Sequence, residues 1–194
     1  PLARELKKLG VDFVQVSMEG TPATHDAIRG AGNHASTVRA LGHLRKAGVR
    51  TLVSFTAHRG NFREFPAVAA LCRRLGVDRV WTDRFIPISE HSTASSETLS
   101  PEETRQLIDL IYRSRKSLSR LWWRRTEVAA HRALQFLGGA GTPYRCTAGN
   151  TLLTVQANGD LVPCRRMPTV VGNLMQTPLL ELYESSPLLR SLRE

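Results

Sequence analysis

Cysteine is nearly missing from this chain. Three thiols in 194 residues are too few, and odd in number, for the evenly paired disulfide framework of a small secreted protein. Lysine is almost as rare, four residues against 23 arginines, so a general preference for arginine explains the net charge of +10 as well as a binding surface does. No charged-then-apolar leader with a cleavage site occurs, and no apolar run nears the length that spans a bilayer; the expectation is a cytoplasmic protein with no membrane partner. An initiator Met is also lacking at Pro1. Leu2 to Leu9 already reads as a helix and Glu194 follows closely on another, so both ends read as cuts in a longer protein.

Among the residues that are present, the densest basic cluster is Arg113, Arg115, Lys116, Arg120, Arg124 and Arg125, beside Trp122 and Trp123. Basic residues next to aromatics suit single-stranded nucleic acid. Leu118, Trp122, Ala129, Ala133 and Phe136 nevertheless fall at helical spacing, in a helix expected from about Leu118 to Leu137, so the aromatics read as core-facing and the arginines as solvated. A non-catalytic nucleic-acid-binding module is kept as the lesser alternative. Cys72, in an amphipathic helix, reads as a small buried side chain.

A repeated phrase organises the first half. Leu9-Gly10-Val11-Asp12, Ala47-Gly48-Val49-Arg50 and Leu75-Gly76-Val77-Asp78 each set a glycine between a helical run and an apolar strand, as a helix C-terminus requires. Strands are expected at Val11 to Ser17, Thr51 to Thr56 and Asp78 to Ile86, with helices at roughly Ala35 to Lys46 and Phe65 to Leu75. This alternation is α/β architecture with parallel neighbours. Three strands are too few for a closed eight-stranded barrel, and a helical start with no strand before it favours a slice of a larger one.

In such sheets reactive residues sit at the carboxyl ends of strands. Those ends are polar here: Ser17-Met18-Glu19-Gly20, Thr56-Ala57-His58-Arg59-Gly60-Asn61 and Asp83-Arg84-Phe85. His25, beside Asp26, reads as a lone loop histidine and therefore as solvated. Ser89 to Glu97 is a polar loop. Ser100-Pro101-Glu102-Glu103 then starts a helix with a Ser cap, Pro at the first position and Glu reaching back. The glycine-rich run at 138–145 reads as a linker, dividing a barrel part at 1–137 from a C-terminal part at 146–194.

That C-terminal part opens with Cys146 and Cys164 bracketing two apolar runs and the turn dipeptide Asn158-Gly159. A two-residue Asn-Gly loop predicts a tight hairpin in which Val155 faces Val162 and Leu153 faces Cys164. Gly172-Asn173-Leu174 reads as a turn, and Thr177 to Glu184 and Pro187 to Leu192 as short helices. Zinc or an iron-sulfur cube takes about four ligands, and only these two thiols, with no histidine after His131, are on offer. On that basis a metal and a pair of inert thiols stand about even; a disulfide is disfavoured by a cytoplasmic setting.

The stretch Val14-Gln15-Val16-Ser17-Met18-Glu19-Gly20-Thr21-Pro22, with His25-Asp26 and Ile28-Arg29-Gly30, resembles the middle of the radical S-adenosylmethionine (SAM) enzymes. Cys146, twelve residues, Gly159, four residues, Cys164 is similar to the start of their C-terminal SPASM/twitch extension, whose pattern is Cys, nine to fifteen residues, Gly, four residues, Cys. The resemblance implies a partial (β/α)6 TIM-like barrel followed by the hairpin and helix of a SPASM domain. It further implies [4Fe-4S] clusters, SAM as cofactor and an electron donor, with SAM cleaved reductively to a 5′-deoxyadenosyl radical. Carried over by position, Ser17 and Glu19 would contact SAM, with Ser54, Thr56 and Arg84 on the next strands as weaker matches, and Cys146 and Cys164 would bind an auxiliary cluster.

Glu19 stands where Asp is commoner in that family. The family's Cys-x3-Cys-x2-Cys loop and its later cysteines are not in this sequence, so the fragment alone is expected to be inactive. Arg165 stands where sulfatase-maturing members carry an aspartate base, which weighs against that substrate class. The expected function is modification of a ribosomally made peptide or protein, its acidic leader suited to the basic surface. The alternative within the family is a porphyrin- or quinone-type cofactor precursor.

Overall fold

The computed structural model describes residues 2–87, 96–116, 126–130 and 146–194. The chain divides into two compact units, Pro1–Pro143 and Tyr144–Glu194. In the first, α1 (Leu2–Lys8) leads to β1 (Phe13–Ser17), then α2 (Pro22–Arg29) and α3 (Asn33–Lys46). β2 (Arg50–Ala57), a single 3-10 turn (Phe62–Glu64), α4 (Phe65–Leu75), β3 (Arg79–Arg84), α5 (Pro101–Lys116) and β4 (Glu127–Ala130) follow. The strands form one parallel sheet in the order β1-β2-β3-β4.

Alternation along β2 decides the two faces. Val53, Phe55 and Ala57 are fully buried against Phe65, Val68, Ala69 and Cys72 of α4, with Phe55 and Phe65 meeting edge-on at 5.5 Å between ring centroids. Each such aromatic contributes on the order of 2–3 kcal/mol by leaving water, so this helix-covered face is the core of the unit. Leu107 and Ile111 of α5 extend it. α4 ends as its sequence demands: Gly76 takes φ +68°, the left-handed conformation that a side chain resists. The Ser100 capping box forms in full, Glu103 N–H donating to Ser100 Oγ at 3.1 Å and Ser100 N–H to Glu103 Oε2 at 2.8 Å.

β4 corrects the helix expected over Leu118 to Leu137. Of that span the described residues are 126–130, and they are extended. Thr126 Oγ1 donates to Val77 O at 2.7 Å, Glu127 N–H to Asp78 O at 2.9 Å, and the Glu127 carboxylate pairs with Arg79 at 2.7 Å. Val128 is buried in the same core. Pairing with β3 thus overrides the helical propensity of Glu-Val-Ala-Ala. The rest of that helix, the Trp122 and Trp123 cluster and the linker at 138–145 lie outside the described residues, as does most of the polar loop, 88–95.

The second unit holds β5 (Thr154–Val155), β6 (Asp160–Val162), β7 (Gly172–Asn173), α6 (Leu179–Ser185) and α7 (Pro187–Arg193). The strands are antiparallel in the order β5-β6-β7. The hairpin register differs by one from the two-residue loop: Thr154 faces Val162 and Val155 faces Leu161. Three residues form the loop because Gly159 N–H closes back on Gln156 O at 2.9 Å and Gln156 N–H bonds Asp160 O at 2.8 Å, with Gly159 at φ +88°. That is a turn followed by a glycine bulge, the next most common hairpin solution. Gly172-Asn173 is a third strand, where a turn was expected; Asn173 Nδ2 donates to Asp160 Oδ1 at 2.9 Å, and a side chain at Gly172 would collide with Leu182. Leu161, Leu182 and Leu189 form this unit's own small core. Among the described residues, no helix is long and apolar enough to cross a membrane.

Candidate functional site

Parallel register sets Ser17 beside Ser54, and Thr56 beside Asp83, on the sheet face turned away from the helices. The Ser17 and Ser54 hydroxyls lie 3.4 Å apart. Two residues past β1, Glu19 turns inward and is 4% exposed. Its Oε1 accepts from the Arg29 guanidinium and its Oε2 from the Thr56 backbone N–H at 3.2 Å. A buried carboxylate has lost its water, and here hydrogen-bond donors serve both oxygens in its place.

The backbone of Glu19 is fixed as tightly as its side chain. Its N–H donates to His25 Nδ1 at 3.0 Å, so His25 is fully buried inside α2, contrary to a solvated loop histidine. With Nδ1 accepting, the His25 Nε2–H donates to Asn33 Oδ1 at 3.0 Å. The Thr21-Pro22 start of α2, Pro at the first helical position, is the sequence signal that this reading passed over. The Glu19 carbonyl accepts from Asn61 Nδ2 at 2.9 Å; the same amide donates to Thr56 O at 3.0 Å and accepts from His58 N–H at 2.8 Å.

Two more carboxylates organise the helix starts. Glu64 Oε2 accepts from Thr21 N–H at 2.5 Å and Oε1 from Thr24 Oγ1 at 2.6 Å. Burial disfavours its ionised form, but the hydrogen bonds from Thr24 and Thr21 outweigh that and hold its carboxyl below the usual value. Asp26 accepts from His34 N–H at 2.7 Å and Gly32 N–H at 2.8 Å, which likewise lowers its pKa.

A cavity of about 340 Å³ opens at these strand ends. Glu19, Thr56, Arg29 and His58 supply its polar wall, Ile28 and Phe85 its apolar one, and Glu97 closes one side with Oε2 at 2.9 Å from His58 Nδ1. Such a mixture suits a small ligand with a flat apolar part and hydroxyl or charged groups. Glu19 and Thr56 thus come together at the cavity, while Ser17 and Ser54 pair with each other on the same sheet face outside its lining. Arg84 does not join them: paired with Ala57 at the end of β3, it alternates onto the helix-covered face. His58, Asn61 and Asp83 stood among the polar strand ends and Arg29 in the matched stretch, but sequence alone assigned none of them a role at the site.

In the second unit Cys146 is exposed and Cys164 half-buried, both as free thiols. Gly149 N–H donates to Pro163 O at 3.2 Å, which brings the turn after Cys146 to the residue before Cys164. Because the loop takes three residues, Cys164 pairs with Met167 in a turn rather than with Leu153. Arg166 N–H donates to Cys164 Sγ at 3.4 Å. Among the described residues no cluster of three or more His, Cys, Asp or Glu surrounds these sulfurs, so the chain fits an iron-sulfur group with two of about four ligands. Cys72 is different: fully buried in α4, its thiol is pushed up to about 12 by burial, which keeps it protonated.

Parallel βα units with a polar cavity at their carboxyl ends, followed by a small antiparallel unit presenting two thiols, are the architecture to be placed among known folds. Residues 146–194 match the SPASM family, an iron-sulfur cluster-binding domain. The AdoMet-dependent heme synthase of Nitratidesulfovibrio vulgaris is 25% identical, covering 98% of this chain and 56% of its own length. The PqqA peptide cyclase of Streptomyces rochei is 28% identical, covering 95% and 51%. In fold the chain resembles the crystal structure of anSMEcpe with bound AdoMet and a Kp18Cys peptide, with a TM-score of 0.71 at 15% identity over 98% of this chain and 55% of that one. Residues 146–194 thus carry a SPASM domain, and the chain as a whole is similar to radical SAM enzymes. It spans about half the length of the curated relatives it matches.

Proposed function

We infer that this chain is the SAM-holding and auxiliary-cluster part of a radical SAM enzyme that modifies a ribosomally made peptide or protein. The observation that carries the SAM assignment is the Glu19 carboxylate, buried at the strand ends with an adjoining cavity. Glu19 would take the hydroxyls of a ribose, Ser17, Ser54 and Thr56 the polar groups beside them, and Ile28 with Phe85 would exclude water from the apolar part of the ligand. Cys146 and Cys164 would hold one edge of an auxiliary [4Fe-4S] cluster, with the Arg166 N–H tuning Cys164. Bound SAM supplies the hydrogen-abstracting radical; the chain's own residues bind, orient and shield it.

The peptide reading draws support from the peptide cyclase relative and from where the charge lies. Residues 146–194 hold four arginines and four acids, so the whole excess of +10 falls within residues 1–145, where an acidic leader would dock. The second reading, a porphyrin-type precursor, is favoured by the heme synthase relative, which aligns over nearly the whole chain. One experiment separates them. The full-length protein, reconstituted anaerobically with iron and sulfide, is reduced with SAM and offered either an acidic-leader peptide or iron coproporphyrin III. 5′-Deoxyadenosine together with a mass change in the peptide supports the first reading. A mass loss in the porphyrin supports the second, and no 5′-deoxyadenosine in any mixture refutes both.

A further inference from the structure

α2 carries both Arg29 and Ile28 to the cavity, yet eight residues are too few for a helix to hold itself in place. Its N-cap residue, Thr21, makes no side-chain cap bond. The cap comes instead from the turn after β2: Glu64 accepts from Thr21 N–H with one oxygen and from Thr24 Oγ1 with the other. Gly20 lies directly beneath, and a side chain there would collide with Glu64 Oε2, so the sequence leaves the carboxylate its room. A helix is a rigid rod of about 1.5 Å per residue, and fixing its first turn fixes its last. At that last turn Arg29 grips Glu19, while His25 midway accepts from the Glu19 N–H. We propose that Glu64 is a positioning residue for the ligand held at Glu19: it touches no ligand and acts by setting α2, and through α2 the direction of the Glu19 carboxylate. The proposal rests on the SAM reading of that site.

The carboxylate, and not merely a side chain of that size, is what the geometry requires. Two donors converge on two oxygens, and a negative group suits the positive end of a helix. Glutamine keeps one acceptor oxygen; alanine keeps none.

The test uses the full-length protein reconstituted anaerobically, with SAM itself as probe in equilibrium dialysis and amide hydrogen exchange read on the SAM-free protein. Glu64→Ala is expected to weaken SAM binding about tenfold, the size of a lost hydrogen bond to a charged group, and to speed exchange over residues 21–29 while β2 and α4 keep wild-type protection. Glu64→Gln should recover binding to within about threefold of wild type, with intermediate exchange over 21–29. Wild-type affinity and wild-type exchange in Glu64→Ala overturn the proposal. Faster exchange spread evenly over β2 and α4 also overturns it, because Glu64 is then a general stabiliser. Should Glu64→Ala not fold, Glu64→Gln decides alone, and its identity with wild type in both readouts overturns the proposal. A wild-type protein that binds no SAM overturns the ligand reading itself, a failure distinct from that of a binding protein indifferent to Glu64.

Discussion

Asn61, 42 residues along the chain from Glu19, donates to the Glu19 carbonyl at 2.9 Å and is 1% exposed. The end of β1 is therefore held by the turn that follows β2. The same amide satisfies Thr56 O and His58 N–H, so one side chain closes three backbone groups that neither strand can pair once the sheet has ended.

Asn61→Asp is nearly isosteric but replaces the Nδ2 donor with an acceptor oxygen facing two carbonyl oxygens. Both lose their partner and face a like-signed oxygen, so the unfolding free energy should fall by about 2–4 kcal/mol in a denaturant titration. A loss below about 0.5 kcal/mol would show that water replaces the amide at no cost.

Glu19→Gln separates ligand binding from stability. Arg29 is 43% exposed at its side chain, so losing its partner leaves a solvated cation and costs under about 1 kcal/mol. A neutral amide in place of the carboxylate would weaken SAM binding by about tenfold or more, the worth of a charge-assisted hydrogen bond. Melting temperature and SAM affinity, measured on the same preparation, check both halves.

Much of the fold was legible in the sequence because its signals are local. Gly76 at the end of α4, the Ser100 box at the start of α5 and the apolar runs of β1 to β3 each announce themselves within a few residues. What stayed hidden depends on partners far away. β4 is a strand because β3 offers an open edge to a segment with helical propensity, and the hairpin register follows from where Gly159 takes positive φ. At the site, Ser17, Glu19 and Thr56 were readable as polar ends of strands, and Ser54 came only from the family resemblance. The roles of Asn61, though it stood in such an end, and of Glu64 were not readable, since they lie in bonds to residues about 40 positions earlier.

The three thiols should differ sharply in reactivity. In the metal-free native protein a maleimide is expected to label Cys146 and Cys164, exposed and half-buried respectively, and to leave Cys72 untouched until denaturant is added. Peptide mapping by mass spectrometry reads each site. Cys146→Ala with Cys164→Ala should lower the iron content of the reconstituted full-length protein, whereas Cys72→Ala should not; equal iron in all variants would remove the pair as ligands.

Acid should find the weak point of α2 first. The folded-state pKa of Glu64 lies below its ordinary value of 4.5, because the bonds from Thr24 and Thr21 outweigh the opposing effect of burial. A depressed carboxyl pKa contributes stability that is fully present above the unfolded value and is lost as pH falls through the folded one. Asp26 and Glu103 shift in the same direction, Asp26 through backbone N–H groups of His34 and Gly32 and Glu103 through that of Ser100. The protein should thus hold a level stability above about pH 5 and lose it progressively below pH 4.5. Glu64→Gln removes one of the three contributions, so its stability should trail wild type at neutral pH and converge on it in acid. Denaturant titrations between neutral pH and the acid limit measure this gap, and a gap that stays constant across the range would mean that the Glu64 charge plays no part in holding α2.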